Sequence, residues 1–360
     1  MTSTPHAPRG SAEPLDTAYD VALLDLDGTV YLSSAAIPGA AEALRKAAAA
    51  GMRLAYVTNN AFRTPAAIAA LLTSFGIPAA AQDVVTSAQA AARMLAERLP
   101  AGAPVLVIGG SGLRMAVRER GLRPVSTAAD RPQAVVEGYS PDVSYSILAE
   151  GGLAVAAGAL FVASNGDLTL PSRRGRQPGN GSLIQVITTA TGVRPLVAGK
   201  PEPPLHHESV LRTGAERPLA VGDRLDTDIE GARRVGADSL LVLTGVTGPA
   251  EVILAPPAQR PTYLAEDLAG LLEPHPDVTS RGGTFRCNGW TARLDGDRLK
   301  LTGGGERIDG LRALCAAAWA GHASDAANSA NAGDAANAGN AGGVTPESAR
   351  AAVQRLDDAR

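Results

Sequence analysis

The chain has 360 residues, enough for one or two domains, and 45% of them are hydrophobic, so a substantial core can form. Its formal net charge of −3 lacks the basic excess that binding to nucleic acid or to an anionic membrane surface requires. Two cysteines without a CxxC spacing, and no apolar signal or membrane-spanning run, predict a cytoplasmic protein with neither nucleic acid nor membrane as a partner.

Residues 1–18 are rich in Pro, Ala, Ser and Thr, and this composition predicts a disordered tail. After this segment, short apolar strands alternate with helices rich in alanine and leucine. The first strand, 21–26, precedes helix 39–50, and the second strand, 52–57, precedes helix 64–75. This alternation is typical of α/β proteins and predicts a doubly wound parallel sheet.

The same alternation continues in the middle of the chain as if in a separate unit. We therefore predict a core of residues 19–86 and 194–275, interrupted by an inserted α/β module of residues 87–193. The second half of the core is expected to begin with a strand at 195–197. Within the module, a polar loop at 164–181 is rich in glycine, proline and charged residues, which leaves it free to contact a ligand.

The composition changes in the last part of the chain. Residues 276–320 predict a small C-terminal extension, with a pair of short strands joined by the Asp-Gly turn at 295–296 and a helix from Ile308. Residues 321–344 are a low-complexity run of small residues that predicts a linker. A Thr-Pro pair then suits the start of a terminal helix within residues 345–360.

Four predicted strand ends carry polar residues. They are DLDGT at 25–29, TNN at 58–60, GKP at 199–201 and GDRLDTD at 222–228. Because the carboxyl ends of parallel strands lie along one edge of a sheet, we expect these four clusters to converge. Asp25 and Asp27 repel each other without a cation, which suggests a metal site. Carboxylates, a hydroxyl, an amide and a lysine suit phosphoryl chemistry, which requires charge neutralisation and positioning.

The four clusters resemble, in order, the four motifs of the haloacid dehalogenase-like (HAD) phosphohydrolases. The chain is further similar to subfamily IIA, which contains the NagD-type, 4-nitrophenylphosphatase and phosphoglycolate phosphatase enzymes. That similarity lies in VYLSSAAIPGA, VTNN, PGNGSL, VAGKP and VGDRLDTDI. The resemblance covers roughly residues 19–270 and implies a Rossmann-like HAD core, with the inserted module as a cap over the strand ends.

The resemblance implies a role for each motif residue in a phosphatase reaction. Asp25 would attack phosphorus and form an aspartyl-phosphate. Asp27 would protonate the leaving alkoxide and then take a proton from the attacking water. Thr58 and the backbone N–H of Asn59 would bind phosphoryl oxygens. Lys200 would neutralise negative charge on the nucleophile and on the transferred group.

The same resemblance implies a Mg²⁺ site. Asp25 and Asp223 would bind the ion through their carboxylates and Asp27 through its backbone carbonyl, while Asp228 would act on the site without binding the ion directly. A dehalogenase is disfavoured, because a halide leaves without a proton and Asp27 would have no task. Transfer of the phosphoryl group to a substrate hydroxyl instead of water is left open.

Candidates to face the leaving group lie in the polar loop of the cap: Asn165, Asp167, Arg173 and Arg174. The hydrogen-bonding groups of Asn165 and Asp167 favour a polyol or sugar-like leaving group over a flat ring. With its C-terminal extension, the layout is similar to that of actinobacterial glycerol-3-phosphate phosphatases, so glycerol 3-phosphate is the favoured substrate among small phosphorylated metabolites. Phosphoglycolate and a nucleoside monophosphate are alternatives within the enzyme class, and a phosphometabolite-binding regulatory protein is the alternative outside it.

The extension in those relatives resembles a truncated acetyltransferase fragment. No RxxGxG/A run for pyrophosphate binding occurs in this tail, so we expect no acetyl transfer from it. The sequence leaves open whether the extension packs against the core or forms a homodimer.

Overall fold

The computed structural model of the chain describes residues 7–32, 35–170, 174–331 and 343–358, with the backbone alone described for residues 322–331. Three main sheets lie within these ranges, one each for the core, the cap and the extension. No helix in the described part of the chain is long and apolar enough to cross a membrane.

The core contains a six-stranded parallel sheet. Its strands lie in the spatial order Tyr263–Ala265, Asp238–Val242, Pro218–Gly222, Val21–Leu24, Arg53–Thr58 and Val84–Thr86. Leu24 is in register with Val221 on one side and with Tyr56 on the other. The residues that follow these three strands therefore meet at one edge of the sheet, as the sequence predicts.

Helices cover both faces of this sheet, which confirms the predicted doubly wound α/β fold. One face packs against Ala40–Ala49 and Pro65–Ser74, and the other against Ser87–Ala96 and Pro203–Thr213. Shorter elements complete the core: helices Leu15–Ala18, Leu225–Ile229, Glu230–Arg234 and Pro249–Ile253, 3₁₀ turns Ala81–Asp83, Pro257–Gln259 and Leu268–Leu271, and the paired strands Tyr31–Leu32 and Ala35–Ala36.

The cap contains a five-stranded parallel sheet. Its strands lie in the order Leu196–Val197, Leu160–Ala163, Ala134–Glu137, Pro104–Ile108 and Arg123–Val125. Its other elements are helices Ser111–Glu119, Tyr145–Ala156 and Asn180–Thr191, the turn Ala128–Asp130, and the paired strands Thr169–Leu170 and Gln177–Pro178 inside the polar loop. Val57 of the core and Val107 and Val136 of the cap belong to one apolar cluster, so the two sheets are joined by a continuous buried layer.

One strand that we predict for the core belongs to the cap. Residues 195–197 are expected to open the second half of the core, but Leu196–Val197 pairs with Leu160–Ala163 in the cap sheet. The chain re-enters the core sheet only at Pro218–Gly222. The predicted boundary at residue 194 is therefore wrong, since the cap sheet extends to Val197. A strand of two residues has too little pattern to show which sheet it joins.

The extension contains more strands than the sequence predicts. In place of one pair of strands, it forms a four-stranded antiparallel sheet of Thr279–Arg281, Thr284–Cys287, Trp290–Asp295 and Arg298–Gly303. The sheet packs against helices Arg307–Asn331 and Pro346–Asp358, with Trp290 and Trp319 almost fully buried. Leu241 and Leu264 of the core lie in the same apolar cluster, so the extension is part of one folded unit with the core.

Two predicted disordered segments are partly structured. Helix Arg307–Asn331 continues into the predicted linker 321–344, consistent with the high helix propensity of alanine, while residues 332–342 lie outside the described ranges. At the other end, residues 1–6 of the predicted tail 1–18 lie outside the described ranges, but the rest is packed. Leu15 is fully buried, and Ser11 exchanges backbone hydrogen bonds with His275. A few anchoring residues in a polar stretch are enough to order it, and composition does not reveal them.

Candidate active site

Asp25 and Asp27 lie where the central strand Val21–Leu24 ends. The backbone N–H of Asp25 still donates to the carbonyl of Val221, at 2.8 Å, which holds Asp25 beside the neighbouring strand end. At Gly28 the chain turns with a φ of 91°, and a Cβ atom there would overlap the carboxylate of Asp223. Glycine is therefore required for the close approach of these two motifs.

Lys200 joins two carboxylates at this edge. Its Nζ donates to Asp25 Oδ1 at 2.5 Å and to Asp228 Oδ1 at 2.6 Å, and only 4% of its side chain is exposed. Burial would lower the pKa of Lys200, but the charges of Asp228 and Asp25 outweigh it and hold that pKa above its ordinary value. Lys200 is thus protonated at neutral pH.

Three carboxylates form a cluster that could hold a metal ion. Oxygens of Asp25, Asp223 and Asp228 lie within 4.8 Å of one another. Asp223 is fully buried and accepts a hydrogen bond from the backbone N–H of Val246 at 2.6 Å. Burial and the nearby charge of Asp228 raise the pKa of Asp223 to about 6. Three carboxylates beside one lysine leave excess negative charge, and an oxygen-preferring divalent cation such as Mg²⁺ fits that set.

The ionisation of Asp25 depends on the cations around it. Burial raises the pKa of Asp25, Lys200 opposes that shift, and the charges of Asp228 and Asp223 add to it. A carboxylate nucleophile must be ionised to attack. Lys200 and a metal ion would together hold Asp25 in that form.

Asp27 stands apart from the carboxylate cluster. It lines a cavity above the strand ends, and its Oδ2 lies 3.5 Å from the hydroxyl of Tyr31. Although its side chain is exposed to the cavity, protein surrounds it on most sides, and this burial raises the pKa of Asp27. A raised pKa is the direction that a carboxyl group needs in order to deliver a proton.

Thr58 ends the neighbouring strand Arg53–Thr58, and Asn59 follows it. The Thr58 hydroxyl oxygen accepts from the backbone N–H of Asn60 at 3.1 Å, and the residue lines the same cavity as Asp25. Asn59 holds the backbone of Lys200 on both sides: its Oδ1 accepts from the Lys200 N–H at 2.8 Å, and its Nδ2 donates to the Lys200 carbonyl at 3.1 Å. Asn59 therefore ties the second motif to the backbone of Lys200.

The structure brings two of the four cap candidates to the site. Asn165 donates from Nδ2 to the carbonyl of Asn59 at 2.8 Å, and Asp167 accepts from Asn59 Nδ2 at 3.2 Å. Arg174 is exposed and does not line the cavity, whereas Arg173 lies outside the described residues. Arg174 is therefore not among the residues that face the cavity, and the sequence of a polar loop does not indicate in which direction an arginine points.

The cavity has a volume of about 200 Å³ and is walled by both core and cap. Among the predicted residues that line it are Asp25, Asp27, Thr58, Asn59, Asn165, Asp167 and Lys200. It is also lined by residues that we did not predict: Tyr139, Asn180 and Arg224. Asn180 lies in PGNGSL and Arg224 in GDRLDTD, so the motifs themselves contained the signal. A larger cavity of about 970 Å³ lies elsewhere and contains none of the motif residues.

Comparison with known proteins agrees with this geometry. The family described as haloacid dehalogenase-like hydrolase matches residues 22–123, and a HAD-hydrolase-like family matches residues 197–271. Residues 287–341 match a GCN5-related N-acetyltransferase-like domain, in line with the predicted acetyltransferase-like character of the extension.

Individual phosphatases are similar to this protein over most of the chain. The D-glycerol 3-phosphate phosphatase of Mycobacterium tuberculosis is 44% identical over 319 residues, which span 85% of this chain and 88% of that protein. A 5'-nucleotidase of Bacillus subtilis is 39% identical over 252 residues, 69% of this chain and 96% of its own. The crystal structure of the M. tuberculosis glycerol phosphate phosphatase with magnesium superimposes with a TM-score of 0.82 at 40% identity, covering 96% of this chain and 99% of that one. The chain belongs to the haloacid dehalogenase-like hydrolase family.

Proposed function

We propose that this protein is a Mg²⁺-dependent phosphatase that hydrolyses glycerol 3-phosphate through an aspartyl-phosphate on Asp25. The observation that carries the proposal is the placement of Lys200 between Asp25 and Asp228, with Asp223 beside them, under a small polar cavity. The similarity to a glycerol 3-phosphate phosphatase over 85% of the chain supports the choice of substrate.

The reaction divides the work between the two aspartates of the first motif. An oxygen of Asp25 attacks phosphorus, and the bond between phosphorus and the ester oxygen breaks. Asp27 gives its proton to the departing alkoxide, so that glycerol leaves as a neutral alcohol. The ionised Asp27 then takes a proton from water, which attacks the phosphorus of the aspartyl-phosphate, releases phosphate and regenerates Asp25.

The other motif residues bind and orient the phosphoryl group. Lys200 keeps Asp25 ionised and offsets charge on the transferred group, and the hydroxyl of Thr58 with the N–H of Asn59 binds phosphoryl oxygens. Asp25, Asp223 and the backbone carbonyl of Asp27 would hold Mg²⁺, while Asp228 fixes Lys200. The ion would supply positive charge that stabilises the transition state.

The volume of the cavity favours a small leaving group. Its volume of about 200 Å³ lies below the range of roughly 300–1,000 Å³ that is common for drug-sized ligands, which disfavours a nucleoside. The oxygens of Asp167 in its wall can accept hydrogen bonds from glycerol hydroxyls, while Arg224 in the same wall could accommodate a second acid group. Glycerol 3-phosphate therefore suits the cavity better than a nucleoside monophosphate, and the assay below decides between it and phosphoglycolate.

The test is phosphate release from glycerol 3-phosphate, 2-phosphoglycolate and a nucleoside monophosphate, with Mg²⁺ and with EDTA. We expect the highest kcat/KM for glycerol 3-phosphate, loss of activity in EDTA, and loss in Asp25→Asn. Asp295→Asn, the same chemical change in an exposed ion pair on the extension hairpin, is the matched control and should retain full activity. Binding of these compounds without turnover by the wild-type protein would favour the regulatory alternative and contradict the proposal.

The oligomeric state, which the sequence leaves open, is tested by light scattering of the purified protein. The predicted cytoplasmic location is tested by fractionation of cells.

A further inference from the structure

Glu137 is a carboxyl group that the proposed reaction does not use. It ends the middle strand of the cap sheet, Ala134–Glu137, and is fully buried. Within the described part of the chain, neither of its carboxyl oxygens has a hydrogen-bond partner. An ionised carboxylate buried without a donor is strongly destabilised, whereas a neutral acid carries its own donor.

The surroundings of Glu137 contain almost no charge. By the alternation of the strand, its side chain lies on the face of Val135, which packs with helices Tyr145–Ala156 and Asn180–Thr191. The only charged side chain of these two helices is Glu150, which accepts a hydrogen bond from the backbone N–H of Ala128 at 2.6 Å. The neighbouring strands Leu160–Ala163 and Pro104–Ile108 carry none. Burial alone raises the pKa of Glu137, to about 8.

Asn180 lies directly beside this residue. Its Nδ2 donates to the backbone carbonyl of Glu137 at 3.4 Å and to that of Asn165 at 2.8 Å. Its Oδ1 is buried and has no donor among the described residues, like the two carboxyl oxygens of Glu137. Two residues joined by a backbone hydrogen bond thus contribute three buried acceptor atoms without donors, and a proton on the Glu137 carboxyl would supply one donor.

Asn180 begins a chain of amide hydrogen bonds that ends at the catalytic lysine. Asn165, which it holds, donates to the carbonyl of Asn59 at 2.8 Å. Asn59 in turn accepts from the backbone N–H of Lys200 at 2.8 Å. The side-chain amides of Asn180, Asn165 and Asn59 thus connect the end of the cap strand to the Lys200 backbone, with Asn165 in the middle of the chain.

We propose that Glu137 is a positioning residue that works as a neutral carboxylic acid, its proton holding Asn180 and through it the cap loop over Lys200. The effect of Glu137 on activity rests on the proposed function, whereas its protonation in the folded protein does not. Ionisation would place an uncompensated charge at the base of the amide chain and displace Asn165 and Asp167. The expected effect on catalysis is a higher KM with a smaller change in kcat, because the loop faces the leaving group.

The test compares wild type with Glu137→Gln, which keeps the shape of the side chain and cannot lose a proton. A group whose pKa is raised in the folded state stabilises the fold below its unfolded value and loses that effect as pH rises to the folded value. Relative to Glu137→Gln, the unfolding equilibrium constant of wild type should therefore rise up to tenfold per pH unit between the ordinary pKa of 4.5 and about 8, and then level off. A ratio that stays constant across this range overturns the proposal. If Glu137→Gln does not fold, Glu137→Met serves as the same non-titrating reference.

The activity readout uses the ratio of wild type to Glu137→Gln in kcat/KM for 4-nitrophenyl phosphate, since shared titrations cancel in that ratio. It should be near one at pH 6.5 and fall above pH 8 through the KM of wild type. A ratio that is flat with pH, alongside the stability effect, would refute the positioning role. If neither protein hydrolyses any phosphate ester while the stability effect is present, the proposed function fails and the protonation of Glu137 stands.

Discussion

Replacing Lys200 with methionine gives a direct test of how the buried charges balance. The side chain is 4% exposed and contacts Asp25 and Asp228 at 2.5 and 2.6 Å. Methionine keeps much of the packing but leaves both carboxylates without their cation. Breaking a buried pair by removing one partner costs about 3–5 kcal/mol, so the free energy of unfolding should fall by about that amount in EDTA.

The assay is urea unfolding at neutral pH, with EDTA and with Mg²⁺. Because Mg²⁺ would supply part of the missing charge, it should stabilise Lys200→Met more than wild type. Adding Asp228→Asn should restore part of the loss, since it removes one of the unpaired charges. Lys46→Met, in an exposed pair with Glu42 on one helix, is the matched control and should be close to wild type.

The reasoning fails if Lys200→Met costs no more than Lys46→Met, or if adding Asp228→Asn destabilises it further. Either result would show that the two carboxylates do not depend on the charge of Lys200 for their stability in the fold. The same variant should lose at least about 100-fold in kcat on glycerol 3-phosphate, because it removes a preorganised charge at the reacting group.

Three other predictions concern Asp27, Gly28 and the C-terminal extension. Asp27→Asn should lose about 10²–10⁴-fold on glycerol 3-phosphate but much less on 4-nitrophenyl phosphate, whose phenolate hardly needs a proton; equal losses in kcat would contradict the role of Asp27. Gly28→Ala should raise the Mg²⁺ concentration for half-maximal activity, because the new Cβ would displace the carboxylate of Asp223; an unchanged Mg²⁺ titration would refute this. Deletion of residues 276–360 should lower the melting temperature or the yield of soluble protein, because it uncovers Leu241 and Leu264; an unchanged melting temperature would exclude a structural role for the extension.

The sequence predicts the site better than it predicts the boundaries of the fold. Asp25, Thr58 and Asp223 could be placed together because each follows an apolar run, and strands of one parallel sheet end at one edge. The strand Leu196–Val197 could not be assigned to the cap sheet, since strand pairing depends on tertiary packing that a two-residue pattern does not encode. The sequence does not single out Glu137 either: it ends the strand AVVE, and only the packing of two helices reveals that it is buried.

The assignment of that short strand means that the cap and the core meet at the charged centre itself. Lys200 follows a strand of the cap sheet, yet its Nζ bonds Asp25 of the core. Rotation of the whole cap would therefore separate Lys200 from Asp25, break both hydrogen bonds between Asn59 and the Lys200 backbone, and expose the apolar layer shared by the two sheets. Asn165 of the polar loop adds a further hydrogen bond between cap and core, from its Nδ2 to the carbonyl of Asn59. Keeping the cap in place thus preserves the ion pairs of Lys200 with Asp25 and Asp228.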